Sequence, residues 1–187
     1  MKDIQKLYEL VKNKCKKYDE TEHTDVWRFH IKPVIDNALI LADKYGADKE
    51  VVEIAALLHD IANLEDIKKN SDNHHILGAE MAEELLKDCE ISPEKVEKIK
   101  QCIINHRGSV NLAKNTIEEI CVADADAVSH FYEVVELICW RAKSGDDVDE
   151  VSRFVKSKLI RSYNKMSEPS REFYKERYTQ VMAIFNI

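Results

Sequence analysis

The sequence predicts an all-α fold, and three observations carry that prediction. Apolar residues recur at helical spacing along most of the chain, and no segment shows the alternation of a half-buried strand. Only four glycines and three prolines occur in 187 residues, too few for repeated β-turns or long coil. The residues that start and stop helices stand where the periodic runs begin and end: Gly46, Asp48, Ser92-Pro93-Glu94, Thr116 with Glu119, and Gly145.

Taken in order, residues 2–18 form a first amphipathic helix with Ile4, Leu7, Tyr8 and Val11 on one face. A polar stretch, 19–25, leads to Trp27, Phe29 and His30. Pro33 suits the first turn of the next helix, where its missing N–H is harmless; Val34, Ala38, Leu41 and Ala42 point inward and Gly46 ends it. Asp48 caps the run VVEIAALLHDIAN, in which Val51, Ile54, Ala55, Leu58 and Ala62 share a face. Residues 64–73 read as polar and irregular, either an ordinary connection or a mobile lid. A helix follows over about 75–88. Ser92 then opens one that reaches His106. Thr116 and Glu119 have capping-box spacing, and a single long helix is expected from there to Ser144. Two amphipathic helices, 147–166 and 168–185, finish the chain, giving eight or so in one domain spanning 1–187. Their aromatic stripe, including Phe154, Tyr163, Phe173 and Tyr178, is expected to pack onto the rest of the domain; a homodimer contact is the alternative.

Composition narrows the function classes. The net charge is −7, from 28 basic and 35 acidic residues, which argues against broad nucleic-acid binding but leaves room for a local basic pocket. No stretch approaches the ~18 apolar residues of a membrane span. The first twenty residues are charged and lack the apolar core of a signal peptide. Five cysteines, an odd number with no Cys-x-x-Cys, read as small core residues in a reducing compartment, so a cytoplasmic location is expected.

His59 and Asp60 are the most informative pair. Two metal-binding residue types stand side by side at the end of a helix that should be buried, and a buried carboxylate needs a partner. Imidazole and carboxylate suit a divalent cation: Mn, Fe, Ni, Zn, Co or Mg. Further histidines and acids fall at helix ends: His30 at an entrance, His74 and His75 at another, His106 at an exit. Helix ends meet at one end of a bundle, where facing helices can supply the ligands of one metal site. Asp124 and Asp126 lie two apart, about 200° around a helix, so one should be a ligand and the other paired or solvated.

This order of residues resembles the HD superfamily of metal-dependent phosphohydrolases. The resemblance rests on the histidine of WRFHIKPV, then LLHDIA, HHILGAE, IINHRG and VADADAVSHF, and covers about residues 24–135. It implies an HD-domain-like helical bundle with a C-terminal helical extension. It implies His30, His59, Asp60 and Asp126 as ligands of a first metal, with Asp126 preferred because ADAV aligns with the family's Ala-Asp-Lys/Arg-Leu segment. Asp124 would be a supporting acid that orients a histidine. His74 and His106 match the two extra histidines of two-metal members, where the shared aspartate, here Asp60, bridges the metals. His75 competes with His74. In a one-metal site His74 and His106 would instead bind phosphate or donate protons.

The implied activity is hydrolysis of a phosphomonoester or phosphodiester, of a nucleotide or related small molecule, by attack of a metal-bound hydroxide. Asp60, His74, His106 and Arg107 would carry the chemistry. Many hydrolytic relatives have an arginine three residues after the first histidine, a position held here by Pro33, which turns attention to Lys32 and Arg107 as phosphate contacts. His130, four residues after Asp126, reads first as a buried structural histidine and second as a site residue. Two other functions stay open. Some relatives with the same residue order hold two irons and oxidise substrates with O₂, and a non-catalytic nucleotide sensor would use the same pocket. The Gly-Tyr-Pro segment of the cyclic-dinucleotide branch is absent, so that substrate is not favoured.

Overall fold

A computed structural model describes residues 2–22, 24–107 and 113–185. Histidine 23, a solvated loop residue by sequence, lies outside them. Every regular element among the described residues is helical. The order is α1 (Lys2–Glu22), a π-helical turn (Trp27–Ile31), α2 (Lys32–Tyr45), α3 (Lys49–Leu58), α4 (Ile61–Asn70), α5 (His74–Leu86), α6 (Pro93–Asn105), α7 (Ile117–Ser129), α8 (Val134–Lys143), α9 (Val148–Lys165), α10 (Glu168–Met182) and a final 3₁₀ turn (Ala183–Phe185). No helix among the described residues is long and apolar enough to cross a membrane.

Two helices form the centre. In α3 every residue from Val51 to Leu58 except Glu53 is buried, and α7 is buried all round from Cys121 to Ser129. A helix apolar on all sides must be enclosed by others. Accordingly α2 lies along α7 and α3, α6 touches α3, α5 and α7, and α1 covers α3 and α4. Asp48 caps α3 as expected, its carboxylate accepting from Glu50 N and Val51 N, while its own N–H donates to Glu118 of α7 at 3.0 Å. Gly46 ends α2 at φ +71°, a left-handed turn that glycine adopts without a Cβ clash. Ser92 caps α6 and Thr116 caps α7.

The structure corrects the sequence reading in two places. Segment 64–73 is helical through Asn70, because Ile61, Ala62 and Leu64 are buried and its polar residues form the solvated face. Extended backbone at Asp66 interrupts α4, and Asn70 Nδ2 reaches back to Ala62 O at 2.8 Å. The expected long helix to Ser144 is two helices, broken over residues 130–133. Ser129 Oγ turns inward, 2.8 Å from Asp126 O and 2.9 Å from Glu133 Oε1, and the break carries the Glu133 carboxylate into the interior.

The C-terminal helices are fastened to the bundle by polar contacts. Ser167, at the start of α10, donates its backbone N–H to Asp124 at 3.1 Å and its hydroxyl to the same carboxylate. Tyr174 OH donates to Asn37 at 2.8 Å, and Tyr45 OH lies 3.0 Å from Ser170 Oγ. The aromatic stripe packs inward at Tyr163 and Tyr178, whose rings stack at 4.0 Å, while Phe173 stays 47% exposed. All five cysteines are free; Cys15, Cys102 and Cys121 are buried, and Cys139 is exposed rather than a core residue.

Candidate metal centre

Four histidines and two aspartates converge where helices end. His30 sits in the π-helical turn, in which Lys32 N donates five residues back to Trp27 O. Such widened turns re-aim a side chain and recur at functional sites. His59 and Asp60 form the junction of α3 and α4, with Asp60 at φ −109°, ψ 18°, outside helical geometry. His74 opens α5, His106 closes α6, and Asp126 comes from the last turn of α7.

Asp60 is the hub. Its Oδ2 lies 3.2 Å from His30 Nε2 and 3.6 Å from His59 Nε2, while Oδ1 lies 3.7 Å from His74 Nε2 and 4.0 Å from His106 Nε2. The donor atoms fall into two groups, His30–His59–Asp60 and Asp60–His74–His106, each with its members within 4.8 Å of one another. One carboxylate therefore faces a different pair of imidazoles with each oxygen. Asn63 Nδ2 holds Oδ1 at 2.8 Å.

The rings are oriented from behind. His59 Nδ1 bonds Ala56 O at 2.8 Å, His74 Nδ1 bonds Ser71 O at 2.8 Å, and His106 Nδ1 bonds Ile103 O at 2.6 Å. Each carbonyl requires N–H at Nδ1, which leaves a bare Nε2 lone pair aimed at the cluster. His30 Nδ1 is held instead by the Glu133 carboxylate at 2.5 Å, with Ser129 Oγ at 3.2 Å. Outer acceptors of this kind fix the tautomer of metal-binding histidines. Convergent bare nitrogens around a carboxylate repel one another without a cation between them, so the donor set fits a divalent metal.

The electrostatics of Asp60, His59 and His106 agree with such a donor set. Burial opposes ionisation of Asp60, but His59, His30 and His106 outweigh it and hold the carboxyl well below its usual range. Burial pushes the His106 imidazole down to about 3, and His59 below its ordinary value, so both are neutral at pH 7. Burial likewise opposes charge on His30, yet Glu133 and Asp60 raise it well above the ordinary value. Glu133 is held down to about 2, with His30 overcoming its burial.

The remaining residues singled out by sequence fall at different distances from this centre. Asp126 Oδ1 is 3.9 Å from His30 Nε2, while Oδ2 accepts from Lys165 at 2.8 Å, so Asp126 stands at the edge of the first group. Asp124 does not orient a histidine; it bonds Ser167, because its side of α7 faces the α9–α10 junction. Lys32 is exposed on α2 and pairs with Asp36, away from the cluster. His75 is buried behind His74, their ring centroids 5.6 Å apart, and lies outside both groups. His130 bonds Ser162 at 2.8 Å and stacks 6.2 Å from His30; burial pushes it down to about 3. Arg107 donates to Asp72 O and lines the pocket over the centre.

That pocket encloses about 610 Å³, a volume suited to a small ligand. Its wall also includes Glu133, Lys158 and Lys165, which sequence reasoning missed. Lys165 and Lys158 belong to α9, whose amphipathic pattern reads as a packing helix, and Glu133 was hidden in an expected continuous helix. The spacing of Glu133 three residues after His130 was the one available signal.

Comparison with known proteins places this arrangement. Residues 29–130, which contain His30, His59, Asp60, His74, His106 and Asp126, match the model of the HD domain family. The chain belongs to the HD domain family. An HD-domain chain of this size has relatives in several bacteria. It is 30% identical over 112 residues to an uncharacterized protein of Clostridium beijerinckii, covering 57% of this chain and 68% of that one. Its HD fold superposes on the crystal structure of Bacillus subtilis YpgQ with a TM-score of 0.70 at 21% identity, covering 99% of this chain and 94% of YpgQ. YpgQ has also been crystallised with ADP, and that structure matches with a TM-score of 0.69 over 96% of this chain and 92% of that one. An HD-superfamily hydrolase from Bacillus thuringiensis matches with a TM-score of 0.70 at 19% identity, covering 98% and 93% of the two chains. At these identities the structural likeness is one of fold.

Proposed function

We propose that this HD-domain chain, acting as one domain over 1–187, is a metal-dependent phosphohydrolase that cleaves a phosphomonoester or phosphodiester of a nucleotide or related small molecule. The observation that carries the reading is the position of Asp60, with an oxygen toward each of two histidine pairs at the floor of a 610 Å³ pocket. The first group, extended by Asp126, and the second group would each hold one divalent cation. A cation held there supplies a nucleophile at neutral pH and screens phosphoryl charge.

The chain's own residues do the rest. Glu133 and three backbone carbonyls keep the four rings turned toward the centre. Lys165 holds Asp126 in place. Arg107, on the pocket wall, is placed to pair with non-bridging phosphoryl oxygens. Support for a nucleotide comes from YpgQ, a protein of the same fold that binds ADP.

The paired groups around one shared carboxylate also suit a di-iron centre that uses O₂. One assay separates the readings. The metal-loaded protein is offered a panel of nucleotides with and without O₂, and phosphate or pyrophosphate release is measured beside Asp60→Ala. Release that ignores O₂ and vanishes in the variant is the expected result. Oxygen consumption without release would point to the oxygenase, and binding without turnover to a sensor.

A further inference from the structure

The HD-domain match ends at residue 130, yet the pocket wall continues beyond it through Glu133 just before α8, Leu137 and Trp140 of α8, and Lys158 of α9. Lys158 is the more telling of these. It points into the pocket, and among the described residues no carboxylate pairs with it at ion-pair distance, in contrast to Lys165 on Asp126. Burial lowers its ammonium, with Glu133 and Asp126 acting the other way. A half-buried ammonium facing a cavity without a carboxylate partner is a place for an anion.

Trp140 supplies a second, independent feature. Its indole is 48% exposed and lines the same pocket. It is also held in place. Phe154 lies 5.9 Å away, and the Arg141 guanidinium sits 5.6 Å from the Trp140 ring and 4.5 Å from the Phe154 ring, anchored by Asp146. An ordered, exposed indole makes a stacking platform for a flat heterocycle. Glu133 and Trp140 are seven residues apart, two helical turns, or about 10 Å along α8. Glu133 bonds His30, so Trp140 stands about two helical turns along the pocket wall from the residue that holds the centre, a separation that a nucleotide diphosphate can span.

We propose that α8 and α9 form a two-point recognition arm for a nucleotide, Lys158 binding its phosphate oxygens and Trp140 stacking on its base. This deepens the phosphohydrolase reading and rests on it for the identity of the substrate. Lys158 distinguishes phosphorylated from unphosphorylated ligands, and Trp140 distinguishes nucleotides from simple phosphoesters.

The test uses three probes: a non-hydrolysable α,β-methylene analogue of ADP, its ring half adenosine, and its anionic half methylenediphosphonate. Binding is followed by calorimetry, and by fluorescence in Trp27→Phe, which leaves Trp140 as the sole indole of the two in the chain. The analogue should bind and quench Trp140, and methylenediphosphonate should bind without quenching. Lys158→Ala should weaken the analogue and methylenediphosphonate by about tenfold or more and leave adenosine unaffected, with Lys158→Arg restoring most of the loss. Trp140→Ala should weaken the analogue and adenosine by about tenfold and spare methylenediphosphonate. Circular dichroism of each variant should overlay the wild type. Failure of the wild type to bind the analogue, unchanged methylenediphosphonate binding in Lys158→Ala, or binding without a Trp140 signal would overturn the proposal. The two readings fail separately. Nucleotide hydrolysis with an unchanged KM in both variants removes the arm and keeps the hydrolase, whereas the predicted binding pattern without hydrolysis of any nucleotide removes the hydrolase and keeps the arm.

Discussion

Asp60 gives the site its form, because a single carboxylate serves both donor groups. Asp60→Ala should therefore abolish metal binding altogether with little loss of helicity, as read by elemental analysis beside circular dichroism. His106→Ala should remove one metal and spare the other, since His106 belongs only to the second group. Unchanged stoichiometry in that variant would return His106 to a phosphate-binding or structural role. Glu133 acts one step back. Glu133→Gln keeps the shape but removes the charge that holds His30 Nδ1, and such outer partners change metal affinity by about 10–100-fold. A metal titration that gives the wild-type affinity would show that Ser129 alone can orient His30. His30, His59, His74 and His106 could be picked from the sequence because histidines are few and fall at helix ends, Asp60 because it adjoins His59, and Asp126 only through the family resemblance. Glu133, Lys158 and Lys165 could not, since glutamates and lysines are abundant and only the tertiary fold shows which of them turn inward.

At the scale of elements, caps were the legible part. Asp48, Ser92 and Thr116 start helices as their side-chain chemistry dictates, and each accepts from the backbone N–H groups of its first turn. Asp48→Ala should lower stability by about 1 kcal/mol in thermal or denaturant melts. Burial opposes charge on Asp48, but Lys95 and the two N–H groups prevail and hold its carboxyl below its ordinary value of 3.8. Its contribution is thus present in full above that value and fades as pH falls through the folded-state value, so the deficit of the variant should narrow in acid. A deficit that widens in acid would contradict the cap. The breaks were less legible. The stop after Ser129 has no glycine or proline to announce it, and it arises from inward polar bonds of Ser129 and Glu133. In the same way the polar face of α4 masked a helix whose buried side is only Ile61, Ala62 and Leu64. Where α5 crosses the end of α3, Gly78 allows close approach: a Cβ there would meet Ile103 Cγ2 at 3.4 Å and His59 O at 3.5 Å. Alanine should be tolerated at that contact distance. Leucine should push α5 off the His59 backbone and show a lower melting temperature together with weakened metal binding, and a Gly78→Leu protein with wild-type metal content would show that α5 can shift without disturbing the centre.

Across the whole molecule, the all-α class followed from periodicity and the scarcity of glycine and proline, and the structure has it. The topology did not follow, since helical periodicity marks an inward face without naming the helix it meets. The C-terminal helices show what was missing. Asp124 holds the start of α10, Asn37 holds Tyr174, and His130 holds Ser162, contacts joining residues far apart in sequence. Through them α9 brings Lys165 to Asp126 and Lys158 to the pocket, so the extension contributes to the centre instead of merely covering it. The proposed centre depends above all on Asp60 joining two metal positions. The decisive measurement is the metal content of the purified protein by elemental analysis, with Asp60→Ala and His106→Ala prepared in parallel. Two equivalents per chain in the wild type, one in His106→Ala and none in Asp60→Ala are predicted. An Asp60→Ala protein that retains the wild-type content, or a wild type that takes up no divalent metal, would contradict it.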